Sequence, residues 1–402
     1  MNEQKYNDGT YGSPMCLTQQ FRFCGNPFRL DFYKGCDFGC KYCFANTRGG
    51  NIDHKLDYAN FSIVEKLFDK AFKKDEEIKN INVELLKHKV PLHVGGMADP
   101  FQTREWDMKL NYKLIELSNK HKYPIMFSTK TAFLPDEYWE ILNPKLHAFQ
   151  ISIMGYDDDF IGKYETNTPT SVERIEFVKK LHNKGFWVGV RLQPLVNLEQ
   201  ALKVCRAIDG IANYITVEHL KIPTDNKAVR ALFEPIDINK YYRPSSLRNF
   251  ELKKEEKIKN INAIKDVVKT SLIGVGDNDL HYMSESRCCC GVDTIGEAFN
   301  NYLKYNLTYF STAVDKDVEN FEDTYIPENN VSSIFNSDSV LFAPDGSKVI
   351  DFKTYTNCYC NAKCGFFKDG CAAKSYFENM DFSKYVKQYS KNRKRKFKQV
   401  EI

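Results

Sequence analysis

At 402 residues the chain exceeds one average domain, which predicts a core domain of about 200 to 250 residues with an appendage. Hydrophobic residues at 42% and charged residues at 27% are ordinary for a soluble globular protein. No apolar run approaches the roughly 18 residues that span a bilayer, and the opening "MNEQKYNDGTYGSP" lacks the basic-then-apolar layout of a signal peptide. A cytoplasmic location with no membrane partner is therefore expected. There, thirteen cysteines read as metal ligands or catalytic groups rather than a disulfide framework. The net charge of +4 says little, but "KNRKRKFK" (391–398) places six basic residues in eight.

Along the chain, strand-like and helix-like segments alternate. "FRLDFY" (28–33) is rich in β formers and runs into the cysteine loop "KGCDFGCKYC". A helix over 61–75 follows, with Ile63, Val64, Leu67, Phe68, Ala71 and Phe72 spaced by three and four. "VPLHVGG" (90–96) is a short strand ending in paired glycines. A helix over 105–121 leads to strand "PIMFSTK" (124–130), and a short helix near 135–142 to strand "HAFQISIM" (147–154). "TPTSVERIEFVKKLHNKG" opens with a proline and a Ser/Thr cap and closes on Gly185, standard helix punctuation. "FWVGVRLQPLV" (186–196) reads as strand, 197–209 as helix and "YITVEHL" (214–220) as strand. Six strands alternating with helices predict parallel strands joined by right-handed crossovers. A six-stranded partial barrel and a doubly wound sheet both satisfy that pattern.

Beyond residue 221 the rhythm breaks. Residues 251–270 read as a charged surface helix, and 271–402 show no βα repeat while holding seven of the thirteen cysteines. The expected organisation is an N-terminal extension (1–27), an α/β core (28–222) and a cysteine-rich C-terminal region (223–402).

The first cysteine cluster carries the chemistry. Cys36, Cys40 and Cys43 are spaced by three and then two residues, and only His54 follows soon after. Structural zinc closes its shell with four ligands, and a cubane iron–sulfur cluster is normally held by four cysteines. Three thiolates leave one metal position open, which is where chemistry takes place. The loop follows the first strand, at the edge where α/β folds build their sites. A zinc knob, or unligated loop thiols, is the plain alternative.

This pattern resembles the radical S-adenosylmethionine (radical SAM) family, whose CxxxCxxC signature has an aromatic residue before the last cysteine. Cys36, Cys40, Tyr42 and Cys43 match it. The resemblance implies a partial (β/α)6 TIM-like barrel and a [4Fe–4S] cluster whose open iron is chelated by S-adenosylmethionine. It also implies a reductant such as flavodoxin or ferredoxin, and a 5′-deoxyadenosyl radical that abstracts hydrogen from a substrate. It extends over roughly residues 20–220, and "NPFRLDFYKGCDFGCKYCFAN" is most similar to the subgroup related to spore photoproduct lyase. In "HVGGMADPFQ" it implies that carbonyls of Gly95, Gly96 and Met97, with Asp99 close by, meet the cofactor's amino group. By the same resemblance Ser128, Lys130 and Ser152 contact its carboxylate or ribose, and Glu165 and Arg191 contact cofactor or substrate. One departure is plain: spore photoproduct lyase has a hydrogen-returning cysteine after its second strand, whereas this chain has "GGMAD" there. The repair reaction itself is thus not expected.

Two further groups of thiols stand in the C-terminal region. "NCYCNAKCGFFKDGC" supplies Cys358, Cys360, Cys364 and Cys371, enough for a second [4Fe–4S] cluster or a structural zinc. "SRCCCGV" supplies Cys288, Cys289 and Cys290 as additional ligands, although neighbouring side chains alternate in direction, so one of the three points away. Cys16 and Cys24 could add to either site, and Cys205, in a helix, reads as core. The basic tail and the subgroup resemblance favour a nucleic-acid substrate, and the C-terminal cysteines favour a peptide substrate. A noncatalytic iron–sulfur or zinc module is the remaining class.

Overall fold

The computed structural model describes residues 9–17, 26, 28–46, 56–73, 81–87, 89–224, 226–233, 236–244, 249–277, 280, 283–286, 288–300, 340–342 and 348–351. The expectations for Cys24, His54, for Cys358, Cys360, Cys364 and Cys371, and for the tail 391–398 lie outside them.

The strands and helices come in the order β1 (Met15–Leu17), β2 (Phe28–Leu30), β3 (Tyr33–Lys34), β4 (Asp57–Tyr58), α1 (Phe61–Phe72), α2 (Ile81–Lys87), β5 (Leu92–Val94), α3 (Thr103–Met108), α4 (Leu110–His121) and β6 (Ile125–Thr129). Next are α5 (Asp136–Ile141), β7 (His147–Ser152), α6 (Asp158–Ile161), α7 (Ser171–Asn183), β8 (Val188–Leu195), α8 (Leu198–Ile208) and β9 (Tyr214–His219). A small excursion then runs through β10 (Lys221–Pro223), α9 (Lys227–Ala231), α10 (Ile238–Tyr241), β11 (Tyr242–Pro244) and β12 (Asn249–Leu252). The chain returns by α11 (Lys254–Val267) to β13 (Leu272–Val275), with the short α12 (Glu297–Asn300) and the pair β14 (Val340–Phe342) and β15 (Lys348–Asp351) beyond.

Eight strands form one sheet in the order β1-β2-β5-β6-β7-β8-β9-β13. Only the β1–β2 pair is antiparallel; each later neighbour is parallel. The six expected strands are all present. The seventh parallel strand, β13, was not legible, because four residues reached after a long excursion leave no βα rhythm to follow. The sheet is not closed, as a partial barrel requires. Its two faces also decide against a doubly wound sheet. On one face Phe127, Phe149, Ile151, Val188, Val190, Leu192, Ile215 and Val217 are fully buried in the main apolar core shared with α1, α4, α7 and α8. The alternate positions point the other way and are polar: His93, Ser128, Gln150, Ser152, Arg191, Gln193, Thr216 and Glu218. That polar surface is the inner face of the open barrel.

Local chemistry explains the helix limits. Asn60 caps α1 by accepting Ser62 N at 2.9 Å. Thr170 and Glu173 form a reciprocal capping box on α7. The expected helix over 105–121 is instead two helices broken at Lys109, whose φ is 53°. The cause is buried Glu105, whose carboxylate accepts Asn111 N at 2.8 Å and Tyr112 N at 3.0 Å and so satisfies the first turn of α4.

Candidate active site

The cysteine loop leaves β3 at the C-terminal edge of the sheet. It is pinned by the 163–167 segment that follows β7: Lys41 N donates to Tyr164 O at 2.9 Å, Asn167 N to Phe38 O at 3.1 Å and Asn167 Nδ2 to Asp37 O at 2.9 Å. Within the loop Cys43 N donates to Cys40 O at 3.2 Å, a turn that folds the last two cysteines back on each other. All three thiols are free and half-buried. Burial pushes the Cys36 thiol up, with Asp99 and Cys40 adding to it. Burial also pushes Cys40 up to about 12, against the pull of Lys130 and with Glu165 and Cys43 reinforcing it. Cys40 therefore lies within electrostatic reach of both Cys36 and Cys43. Among the described residues no three His, Cys, Asp or Glu side chains are already converged as a metal-ligand set. Closing the three thiols on a metal thus requires deprotonation, which metal binding itself drives.

Glu165 organises the loop's flank. Its carboxylate accepts from the Tyr42 hydroxyl, from Thr168 Oγ1 at 3.0 Å, and from Arg174 in an ion pair of 2.9 Å, with Lys130 Nζ at 3.5 Å. Burial alone would raise this carboxyl. The charges of Lys130 and Arg174, with the two hydroxyls, outweigh it and hold Glu165 at about 2. Arg174 is fully buried and also donates to Ser152 O at 2.8 Å. Glu165 is thus occupied by the protein itself, and Lys130 is the cation next to Cys40, 5.8 Å from the centroid of the Tyr42 ring.

The "GGMAD" segment wraps a carboxylate that sequence reasoning missed. Asp31, buried at the end of β2, accepts Met97 N at 2.8 Å, and backbone N–H groups of Gly96 and Ala98 also reach it. Gly95 has a φ of 99°, and a Cβ there would sit 2.1 Å from Ser128 O. Glycine is required at that point because β5 and β6 approach too closely for a side chain. Asp99 holds the next turn, accepting Thr129 Oγ1 at 2.6 Å, Lys130 N at 2.7 Å and Phe101 N at 3.0 Å. Burial raises its carboxyl to about 6 despite those hydrogen bonds.

Ser128 is the crossing point on the inner face. Its Oγ meets His93 Nε2 at 2.7 Å, donates to Gln150 Oε1 at 3.0 Å and accepts from Arg191 at 3.3 Å. Arg191 continues to Gln193, Gln193 to Glu218, and Glu218 to Lys221 at 2.9 Å. Burial, with Arg191 and Arg29 nearby, lowers His93 to about 3, so it is neutral there. Ser152 stands beside Arg191 in register, and Ser128 beside Gln150. The structure thus brings Cys36, Cys40, Tyr42, Cys43, Asp99, Lys130 and Glu165 together at the strand ends, with Ser128, Ser152 and Arg191 on the adjoining inner face. His93, Gln150, Gln193 and Glu218 were missed; their signal was a polar residue at alternate positions of otherwise apolar strands. Cys288, Cys289 and Cys290 lie apart from the loop, in a turn against Gln150 of β7 and Tyr214 and Thr216 of β9. Cys205 is fully buried in α8, as expected.

The Radical SAM superfamily model matches residues 30–204, and this part of the chain is a radical SAM domain. Such a domain implies an S-adenosylmethionine-dependent enzyme with a [4Fe–4S] cluster, fed by an external reductant. Among solved structures, a spore photoproduct lyase mutant with bound AdoMet and dinucleoside spore photoproduct is 16% identical, with a TM-score of 0.45, covering 62% of this chain and 76% of that one. Streptococcus suis SuiB bound to S-adenosylmethionine is 13% identical, with a TM-score of 0.39, covering 59% of this chain and 46% of that one. No curated protein matches the chain. No helix among the described residues is long and apolar enough to cross a membrane.

Proposed function

We propose that Cys36, Cys40 and Cys43 hold a [4Fe–4S] cluster with one iron left to S-adenosylmethionine, and that the enzyme abstracts hydrogen from a macromolecule, most favourably a nucleic acid. The observation that carries this reading is the three-thiol loop at the C-terminal edge of a radical SAM domain, flanked by Lys130. When bound, the cluster and cofactor supply a 5′-deoxyadenosyl radical that takes a hydrogen atom from the substrate. The residues of the chain prepare for that. The N–H groups of Gly96, Met97 and Ala98 turn to Asp31, leaving carbonyls of the Gly95–Met97 stretch to accept from the cofactor's ammonium. Lys130 and Arg191 offer cations, and Ser128 and Ser152 hydroxyls, to its carboxylate or ribose. Glu165, paired with Arg174 and Tyr42, fixes the loop instead of touching the cofactor. Neutral His93 keeps Ser128 oriented without adding charge.

Two features support nucleic acid: the likeness of residues 26–46 to the spore photoproduct lyase subgroup, and the six basic residues of 391–398, which suit phosphates. A peptide substrate is the second reading, favoured by Cys358, Cys360, Cys364 and Cys371 as ligands of an auxiliary [4Fe–4S] cluster. Anaerobic reconstitution tests the chemistry: wild type should form 5′-deoxyadenosine under a flavodoxin or ferredoxin reductant, and Cys40→Ala should form none. Undiminished cleavage in that variant overturns the assignment. Binding to DNA and RNA at two salt concentrations, with and without residues 391–402, tests the substrate. The truncated form should bind more weakly across sequences and with a flatter salt slope. Equal slopes move the peptide reading ahead.

A further inference from the structure

The turn that carries three consecutive cysteines is built into the barrel's floor. Tyr214 Oη donates to Cys288 O at 2.9 Å, Thr216 Oγ1 to Cys289 O at 2.9 Å and Gln150 Nε2 to Cys290 O at 2.9 Å. All three donors stand on the inner face of β7 and β9. Gly291, with a φ of 68°, closes the turn where a Cβ would sit 2.5 Å from the Tyr214 ring. Trp187 Nε1 donates to Thr294 Oγ1 at 3.0 Å and secures the far side. With every carbonyl of the trio held, the side chains have fixed directions. Gly291 N donates to Cys288 O at 2.9 Å and folds the three residues into a turn, in which the Sγ atoms of Cys288 and Cys290 stand 3.0 Å apart. The Cys289 thiol also hydrogen-bonds to Cys288, with Glu218 and Arg191 within its electrostatic reach.

We propose that Cys288 and Cys290 are a redox-active dithiol in the barrel floor, oxidised by exchange with a small-molecule disulfide and reopened by a thiol. Cys290 is half-buried and Cys288 only 1% exposed, so Cys290 attacks first. Its thiol loses a proton and its sulfur bonds one sulfur of the incoming disulfide, releasing one thiol. Cys288 then loses its proton and attacks Cys290 Sγ, releasing the second thiol. The balance is two cysteine thiols and one small disulfide giving one internal disulfide and two small thiols. The site uses neither the cluster nor the cofactor. It touches the inner-face network, however, because Gln150 holds both Cys290 O and Ser128.

The experiment equilibrates the full-length protein anaerobically in glutathione buffers from fully reduced to fully oxidised. It then quenches in acid, alkylates free thiols and maps the tryptic peptide 288–304 by mass spectrometry. Oxidation should remove two of its three alkylation sites together, leave the peptide two hydrogens lighter, and leave Cys289 as the alkylated residue. Cys289→Ser should still form the disulfide, and Cys288→Ser and Cys290→Ser should not. Three alkylated thiols in the most oxidising buffer, a Cys288–Cys289 bond, a link to another peptide, or thiols protected by bound metal would each overturn the proposal. Should a serine variant fail to fold, the wild-type map is sufficient to support the proposal or overturn it.

Discussion

Two cysteine turns packed on one sheet use the same side chain in opposite ways. Around Cys36, Cys40 and Cys43 the backbone is held from outside, by Tyr164 and Asn167, and the thiols are spread along eight residues. Around Cys288, Cys289 and Cys290 the backbone is held from beneath, by side chains of β7 and β9, and Cys288 meets the thiols of both Cys290 and Cys289. The spacing decides this. Gaps of three and two carry the chain around a centre that can be shared with a metal, whereas three consecutive residues in one turn crowd their thiols directly against each other. The electrostatics differ as well. The first turn has a lysine beside it and an ion-paired glutamate behind it, and the second is anchored by neutral hydrogen-bond donors with Glu218, Arg191 and Asp293 within electrostatic reach.

The largest effect should come from breaking the first turn. Alanine at Cys36, Cys40 or Cys43 should abolish reductive cleavage of S-adenosylmethionine, while Cys289→Ala should leave cofactor-dependent iron content at the first site unchanged. Mössbauer spectra of the reconstituted proteins separate the two outcomes. Equal losses in both regions would mean the two turns are not functionally distinct.

Next comes the brace behind the first turn. Arg174→Met leaves Glu165 buried with one of its two cations removed, a change that costs about 3–5 kcal/mol when one partner of a buried pair is lost. Urea unfolding should show that loss, and Arg174→Met with Glu165→Gln should recover part of it, because the orphaned charge is gone. The pair also sets acid sensitivity. The Glu165 carboxyl sits at about 2 when folded against an ordinary value of 4.5. Its stabilisation is therefore complete above 4.5 and is lost as pH falls towards 2. Glu165→Gln should flatten the stability profile in that window.

How much of this was legible follows from the same contrast. The three-cysteine loop and the six strands were readable because spacing and period-two alternation are local properties. Asp31 and Glu105 were not, since each works through backbone N–H groups that only the fold brings near. Arg174 sat in plain view inside a helix pattern, where a charged residue reads as surface. The partners of Glu165 were likewise invisible, because Tyr42 and Lys130 reach it from segments that only the fold brings near. The pairing of Cys288 with Cys290 arises in a turn, where strand alternation gives no guide, and β13 and the turn's anchorage depend on a strand too short to leave a pattern.

A gentler probe is the neutral histidine that the inner face keeps between the two turns. His93 sits at about 3 when folded and ionises near 6.5 when unfolded. The unfolded chain takes up the proton first, so stability falls as pH drops from 6.5 towards 3. His93→Gln retains a hydrogen-bonding group for Ser128 and should reduce that fall; His147, also lowered to about 3, keeps the remainder. Urea midpoints of the apo protein at pH 7 and pH 5 measure the difference, and identical slopes would mean that His93 is charged in the fold.

The smallest effect belongs to a cysteine that serves neither turn. Cys205 is fully buried in α8 among Val204, Ala201 and Ile208, and burial raises its thiol to about 12. At any pH the enzyme would meet, it is a neutral, small hydrophobe. Cys205→Ala removes one heavy atom from a packed site and should cost roughly 1 kcal/mol, near the value of a buried methylene. Iron content, cofactor cleavage and the redox behaviour of peptide 288–304 should all stay at wild-type levels, because α8 packs on the outer face and both turns lie on the inner face or the strand ends. A loss of iron in this variant would show that the outer core, and not the spacing of the thiols, controls what each cysteine turn can bind.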